Sequence, residues 1–454
     1  MKLSLSLAVF LAFLFLPSPV LAHGFGQKFS LPLPFWMYLF ASGVVVVVSF
    51  VLLSFFASTK KDIKPVKTWA ALPGWFISLL RYLFLALFLL LLATGLFGNQ
   101  LPGDNFSVIF FWILWTVGLF YLFSFLGNLW QYMNPWQSLF LGFKKLFPDY
   151  QPPLKLASKV ALWPAVLFFV AYIWIQNVLI VFNPADMALL LGAYSLLTLS
   201  AAYLFGEEWF AKGEFFTVLY QTVSTFSPFK YQSKKTEVYT PAIRLTNELT
   251  RNFSLVVFIL FMLAGVTFDG VKETPTYFGI RDYLASNFNF HVASRLFHTI
   301  ALLLLFVGFF TAYYFFNFLV SRLTKLDLKK TGLYFVTSLV PIAVGYELAH
   351  FSSLLLIQGQ DIIRVVGDPF AFGWNSLGTE GFRPILFVNA KFFWYFQIVS
   401  IIAGHIAGVY VAHKIALSYL GKRQAFISQF PMLFLMILFT IFSLWVISQP
   451  LVVQ

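Results

Sequence analysis

Two ionisable residues interrupt an apolar stretch that is long enough to cross a membrane. Glu347 and His350 lie in the run from Thr331 to Ile357, and their three-residue spacing places both side chains on one face of a helix. An ionised group at membrane depth costs several kcal/mol unless it is paired, neutralised or hydrated. The spacing Glu-x-x-His also recurs among metal ligands on the helices of bundles. The pair therefore predicts a polar site in the interior of a membrane protein.

Ligand-type side chains on neighbouring stretches extend this prediction. His298, Asp269 and Gln397 fall in the half of the bilayer that also holds His350, and His405 falls near the midplane. A neutral imidazole and a carboxylate together suit a divalent cation, because its charge offsets that of the buried carboxylate. We therefore predict a mononuclear, zinc-like metal site. Its predicted ligands are Glu347, His350, His405 and His298.

The residue types also suggest roles within this site. Glu347 and His298 are the candidate catalytic residues, with His298 serving as a fourth ligand or as a general base. Asp269 and Gln397 are expected to orient a ligand through hydrogen bonds. The alternative for each histidine is a core residue whose ring nitrogen bonds to a backbone carbonyl group, as buried polar groups commonly do.

The first residues of the chain have the composition of a signal peptide. A lysine precedes an apolar run over residues 3–16, and Val20 and Ala22 are small residues at the −3 and −1 positions of a cleavage site. We therefore predict a signal peptide over residues 1–22 and a mature chain that begins at His23, with an uncleaved signal anchor as the alternative. A terminal histidine combines an α-amine with an imidazole, a nitrogen chelate that suits copper; the alternative is an ordinary loop histidine.

The composition predicts a polytopic membrane protein. Of the 454 residues, 60% are hydrophobic and 10% are charged, and the mean hydropathy is +0.83. Repeated apolar runs of about 20 residues predict an all-α bundle of transmembrane helices. The absence of cysteine excludes disulfides, thiolate nucleophiles and iron–sulfur clusters. The ten predicted spans lie near residues 35–58, 75–97, 106–127, 160–182, 187–205, 253–268, 293–320, 332–357, 392–414 and 429–448.

The distribution of Lys and Arg predicts how these spans are oriented. Twenty-one of the 30 basic residues fall in or beside the loops on one side of the predicted bundle, and seven fall on the other side. The positive-inside rule places the basic loops in the cytoplasm. Both termini then lie outside, in a multi-pass protein of the cytoplasmic (inner) membrane whose functional face points to the outside or periplasm. The same bias explains the net charge of +13 without a nucleic-acid partner.

Two kinds of segment do not span the membrane. Residues 212–226 place four apolar side chains on one helical stripe, which predicts an amphipathic helix on the inner membrane surface. Segments 269–292 and 358–391 are rich in Gly, Pro and aromatic residues. We expect these two segments to form structured caps over the outer face.

Short motifs are distributed along nearly the whole chain. They are "AHGFGQ" at 22–27, "LPLPFWMYL" at 31–39, "NPW" at 134–136, "FDG" with "TP" at 268–275, "AHFSSLLLIQGQ" at 349–360, "DPFAFGWN" at 368–375 and "GHIAGVYVAHK" at 404–414. This pattern resembles the bacterial polytopic membrane proteins known as fenitrothion hydrolases and their homologues. The resemblance implies hydrolysis of an organophosphate ester at the membrane, with room for a partner membrane subunit. Glu347 departs from the histidine of that pattern, which gives Glu-x-x-His in place of His-x-x-His.

Three functions fit these features. In a metal-dependent hydrolase, the metal ion would lower the pKa of a bound water and polarise an amphiphilic or organophosphate-type ester, the small-molecule substrate. In a transporter or permease for a metal ion or small solute, the same histidines would form a coordination or proton path. The third function is that of a non-catalytic subunit in a membrane complex. The polar residues collect on one side of the bilayer, which favours the enzyme, since a transporter needs a path to both sides.

The predicted orientation can be tested with reporter fusions. We expect fusions at Lys235 and Lys329 to be active only with a cytoplasmic reporter, because both residues lie in basic loops. Fusions near Gly373 and at the C-terminus should be active only with a periplasmic reporter. A cytoplasmic C-terminus would contradict the count of ten spans.

Overall fold

The computed structural model describes residues 29–56, 63–287, 290–449 and 452–453. The predicted signal peptide, residues 1–22, and the predicted copper ligand His23 lie outside the described residues. Within them, ten helices are long and apolar enough to cross a membrane. Each coincides with a predicted span, which confirms an all-α, multi-pass membrane bundle. Spans 1 to 10 are Phe35–Ser54, Gly74–Phe97, Phe106–Leu126, Ser158–Leu179, Pro184–Phe205, Phe253–Lys272, Ser294–Thr324, Leu328–Leu356, Ala390–Tyr419 and Lys422–Ser448.

Shorter elements connect these spans. The short α-helices are Trp130–Met133, Pro135–Leu146, Glu208–Lys212, Phe215–Ser224, Pro275–Asn287 and Ile362–Gly367. Single 3₁₀ turns cover Ile243–Thr246 and Gln358–Asp361. Strands β1 to β5 are Phe29–Ser30, Lys67–Ala70, Phe229–Tyr231, Lys235–Val238 and Val452–Val453.

The connections define two ends of the bundle. Strand β2, which follows span 1, pairs antiparallel with β4 from the loop between spans 5 and 6, and β3 joins the same sheet. We call this the basic end. At the other end, Arg364 forms an ion pair of 2.7 Å with Asp104, which ties the loop after span 2 to the segment after span 8. We call this the capped end, and it includes the helix Pro275–Asn287. The strands thus connect two loops that the distribution of Lys and Arg predicts to lie on the same side of the membrane.

Span 6 is the central helix of the bundle. In its most apolar window 83% of the residues are buried, against 17% for spans 1 and 2, which face outward. Spans 4, 7, 8 and 10 pack around it. Spans 8 and 9 meet at two glycines, since a Cβ atom at Gly345 would lie 2.5 Å from the Ser400 carbonyl oxygen and one at Gly404 would lie 2.6 Å from that of Pro341. Small residues allow such close approach of membrane helices.

Three spans depart from regular α-helical geometry. Span 3 is a π-helix over Phe110–Gly118, and span 4 ends in a π-helix over Ile175–Leu179. Span 8 changes to 3₁₀ geometry over Val336–Leu339, just before Pro341. The proline has no N–H to bond the carbonyl of Thr337, and the N–H of Val340 bonds that carbonyl instead. Such irregular turns inside helices are frequent at functional sites.

The helix Phe215–Ser224 corrects the predicted surface helix at 212–226. Eight of its ten residues are buried, and the hydroxyl of Tyr220 donates a hydrogen bond of 2.8 Å to the carbonyl oxygen of Trp115, in the middle of span 3. The helix therefore enters the bundle from the basic end. The helix is buried because Phe215–Ser224 contains no charged residue. A helix on the membrane surface needs a charged or strongly polar face towards water.

The buried carboxylate of Glu214 fixes the start of this entering helix. Glu214 is fully buried, and its oxygens accept hydrogen bonds from the backbone N–H groups of Phe216 and Thr217, at 2.9 and 2.8 Å. The side chains of Tyr194 and Asn134 also donate to it, at 2.7 and 3.0 Å. Burial raises the pKa of Glu214, and the hydrogen bonds from Thr217 and Tyr194 oppose that shift. Neutral donors thus satisfy a buried acid without a cation.

We expect Glu214→Ala to lower the free energy of unfolding by about 3 kcal/mol or more, because it leaves several buried donors without an acceptor. The measurement is unfolding of the purified protein in detergent. Glu208→Ala is the matched control, since Glu208 is exposed and pairs only with Lys212 across one helical turn, and it should cost less than about 1 kcal/mol. Equal losses for the two variants would contradict the anchoring role of Glu214.

Candidate binding cavity and its acid–base residues

Asp269, at the end of span 6, is shared by two partners. Its Oδ2 atom lies 2.7 Å from Nε2 of His350 on span 8, and its Oδ1 atom lies 2.8 Å from Nζ of Lys272, one turn further along span 6. Because a carboxylate can only accept, Nε2 of His350 carries the proton and Nδ1 has the free lone pair. Asp269 therefore holds the imidazole of His350 in one orientation.

His298 lies on span 7 beside the helix Pro275–Asn287. Its Nδ1 atom hydrogen-bonds to the hydroxyl of Tyr277, and the two rings are stacked with centroids 5.5 Å apart. Ser294 is the second neighbour, with its hydroxyl 3.4 Å from Nε2. Burial raises the pKa of Tyr277, so the phenol stays protonated. His298 is thus held against the wall of the capped end.

His405 and Gln397 occupy the core of span 9. Nδ1 of His405 hydrogen-bonds to the carbonyl oxygen of Ile401 at 2.8 Å, and His405 is 1% exposed. Nε2 of His405 and Oε1 of Gln397 are buried and have no hydrogen-bond partner among the described residues. The backbone contact of His405 is the one expected for a structural core histidine.

The structure does not assemble the predicted metal ligands into one group. Among the described residues, no three His, Asp or Glu side chains are arranged to hold a metal ion. His350 pairs with Asp269, whereas His298 contacts Tyr277 and His405 contacts a backbone carbonyl. The zinc-like site therefore stays a prediction from sequence.

A cavity of about 220 Å³ opens at the capped end. Its rim includes the exposed Gly103. One wall is polar and consists of Asp269, Lys272, Glu273, Arg281, His298 and Asp361. The other wall is apolar and includes Ile109, Trp112, Ile113, Val117, Phe351 and Leu354. A ligand with an apolar body and a polar group matches such a pair of walls.

Glu347 lines a second, deeper pocket of about 40 Å³. The two cavities share Val117, Gln176 and Phe351 as lining residues, so the deep pocket continues the large one towards the middle of the bundle. Its volume exceeds the roughly 10–15 Å³ that one water molecule requires. No described residue forms a hydrogen bond or an ion pair with the Glu347 carboxylate. Glu347 is thus an ionisable group that faces a small cavity inside the spans.

Glu273 is a second carboxylate without an ion pair to any described residue. It lies on the polar wall directly after span 6. Burial and the negative charge of Asp269 raise the pKa of Glu273, and the positive charges of Lys272 and Arg281 partly offset this. Arg281 itself pairs with Asp282 at 2.7 Å. The wall therefore presents an acidic group to whatever occupies the cavity.

Several residues of this region were not predicted from the sequence. Glu214, Glu273, Tyr277 and Gln176 were not among the predicted site residues. The dipeptide at 274–275, Thr followed by Pro, is a helix-start signal, and it could have placed Tyr277 on a helix over the cavity. Glu214 precedes an uncharged ten-residue helix, which could have indicated that the helix is buried.

These features define a polytopic membrane protein with ionisable residues facing a cavity inside its spans. Comparisons with protein-family models, with curated proteins and with solved structures found no match. The function is therefore inferred from the geometry of the chain itself.

A double-mutant cycle can test the pairing of His350 with Asp269. We expect the losses in unfolding free energy for Asp269→Ala and His350→Ala to be non-additive by about 1–3 kcal/mol, because each substitution removes the same hydrogen-bonded contact. The control cycle uses Lys144 and Glu207, an exposed pair at 2.7 Å, whose coupling should stay below about 1 kcal/mol. Additive losses for Asp269 and His350 would show that the pair is not formed.

Proposed function

We propose that this protein is a proton-coupled carrier that moves a small amphiphilic organic cation across the membrane. The observation that supports it most directly is Glu347, a carboxylate without a partner among the described residues, at the inner end of a cavity that opens at the capped end. Ionisable residues at such positions typically lie on the path of a proton or a charged substrate.

The charges around the cavity favour a cationic ligand. Lys272 is paired with Asp269, and Arg281 is paired with Asp282. Glu273 and Glu347 are left as acidic groups without such partners. The indole of Trp112 on the opposite wall offers a face for a cation and for an aromatic or aliphatic body.

Exchange between a proton and the cation follows from the cost of an unpaired charge. An ionised Glu347 inside the spans is costly until a proton or a cation neutralises it. The two therefore compete for one carboxylate. A protein that can expose this carboxylate only in its neutralised form couples the movement of the cation to that of a proton.

The entering helix is the barrier at the other side of the deep pocket. Phe216, Leu219 and Tyr220 on this helix line the pocket that contains Glu347. The irregular segments of spans 3 and 4 contribute Thr116, Val117 and Gln176 to the same pocket and could serve as hinges. Broken helices that meet near the middle of a bundle are typical of transporters.

A hydrolase is the second candidate function, and the pairing of His350 with Asp269 favours it. A carboxylate that orients an imidazole is the arrangement of a general base, and the free Nδ1 of His350 could take a proton from water that attacks an ester. The resemblance to fenitrothion hydrolases suggests a phosphate triester as the substrate. In that function Glu347 and His298 keep their predicted catalytic roles. If the predicted zinc-like site with His405 is formed, Nδ1 of His350 is a ligand and His298 is the general base.

We expect Glu347→Gln to reduce pH-driven uptake by about tenfold or more, because a glutamine cannot exchange a proton. The measurement is ethidium accumulation in proteoliposomes that contain the full chain and carry an imposed pH gradient. Glu380→Gln, at an exposed position of the capped end, is the matched control and should transport as the natural chain does.

The same proteoliposomes distinguish the two candidate functions. Release of p-nitrophenol from a p-nitrophenyl phosphate triester, lost in His350→Gln and without ethidium uptake, would replace the carrier by the hydrolase. Uptake that is unchanged in Glu347→Gln would remove the role proposed for this carboxylate.

A further inference from the structure

A third cavity opens towards the lipid between spans 4 and 5. It has a volume of about 240 Å³, and none of its lining residues is charged. Ala171 on span 4 and Ala193 and Leu197 on span 5 line it and are exposed on the surface of membrane-spanning helices. These residues face the acyl chains of the bilayer. We call this cavity the lateral groove.

The lateral groove lies directly against the two internal cavities. Trp112 and Val181 line both the groove and the large cavity, while Tyr172 and Phe216 line both the groove and the deep pocket of Glu347. The rings of Trp112 and Tyr172 are stacked, with centroids 6.1 Å apart. A single layer of aromatic side chains therefore separates the bilayer from the candidate binding site.

This aromatic layer is attached to irregular backbone. Trp112 belongs to the π-helical part of span 3, and its Nε1 donates to the carbonyl oxygen of Val181 at 3.0 Å. Val181 follows Ile180, whose φ of 54° lies in the left-handed region that β-branched residues rarely adopt. Strained positions of this kind cluster at switch regions and ligand clamps. The contact that holds Trp112 in place thus ends on a strained turn.

We infer that the amphiphile enters from the bilayer through the lateral groove and passes between Trp112 and Tyr172 to reach Glu347. This inference rests on the proposed function and specifies its substrate as a membrane-partitioning amine with one apolar tail. The occupant of the groove is the apolar tail, because the groove is apolar, faces lipid and leads to a carboxylate. A polar solute would instead enter through the charged rim of the capped end.

The test compares two tryptophan substitutions on span 5. Leu197 lines the groove, whereas the adjacent Leu196 is exposed to lipid outside it. In nanodiscs that contain the full chain, Leu197→Trp should slow the association of n-decylamine by about tenfold, and Leu196→Trp should change it by less than about twofold. Ala171→Trp, which obstructs the groove from the opposite wall, provides a second variant if Leu197→Trp does not fold.

A second probe separates this inference from the proposed function. Tetramethylammonium has no apolar tail, so its affinity should be equal in Leu197→Trp and Leu196→Trp. Equal decylamine association in these two variants, or a copurified lipid in the groove that decylamine does not displace, would overturn lateral entry. If decylamine association is slower in Leu197→Trp than in Leu196→Trp but pH-driven uptake is absent, the proposal of a carrier is wrong and the entry route still holds.

Discussion

The cost of keeping a carboxylate inside a helix bundle is the constraint on which the structure depends. The carboxylate of Glu214 is stabilised by hydrogen bonds from neutral donors, namely two backbone N–H groups and the side chains of Tyr194 and Asn134. That of Asp269 is stabilised by the charge of Lys272 and the Nε2 proton of His350. Glu347 has neither kind of partner among the described residues and borders a pocket instead. The first two acids are thus stabilised by the fold itself, and the third depends on what enters from outside.

The same constraint accounts for the irregular backbone. Glu214 allows a helix to start inside the bundle, because its carboxylate bonds two of the N–H groups that a helix start leaves free. Span 3 is π-helical where it meets Tyr220 of that helix. Non-helical or interrupted backbone is tolerated at membrane depth only where protein or a water-filled cavity surrounds it. The cavities and the broken spans are therefore two aspects of one arrangement.

Hydropathy predicted all ten spans, because apolar length is a local property of the sequence. The partners of the polar residues could not be predicted in the same way. The spacing of Glu347 and His350 places them on one helix face. The partner of His350, however, is Asp269, because spans 6 and 8 pack against each other. The prediction of a surface helix at 212–226 is wrong because it rests on one apolar stripe. The opposite face of Phe215–Ser224 carries no charge, so that face is also buried. Pairing depends on which helix faces meet, and one sequence contains that information only indirectly.

The lateral groove and the unpaired Glu347 can be understood together. A carboxylate behind an aromatic layer is hard to neutralise from the bilayer with a hydrated ion, since the ion would have to lose its water first. An amphiphilic amine avoids this difficulty, because its apolar tail favours the groove and its head group carries the missing charge. The aromatic side chains of Trp112 and Tyr172 line that way. One molecule thus satisfies both the apolar groove and the buried acid, which a simple hydrated cation cannot do.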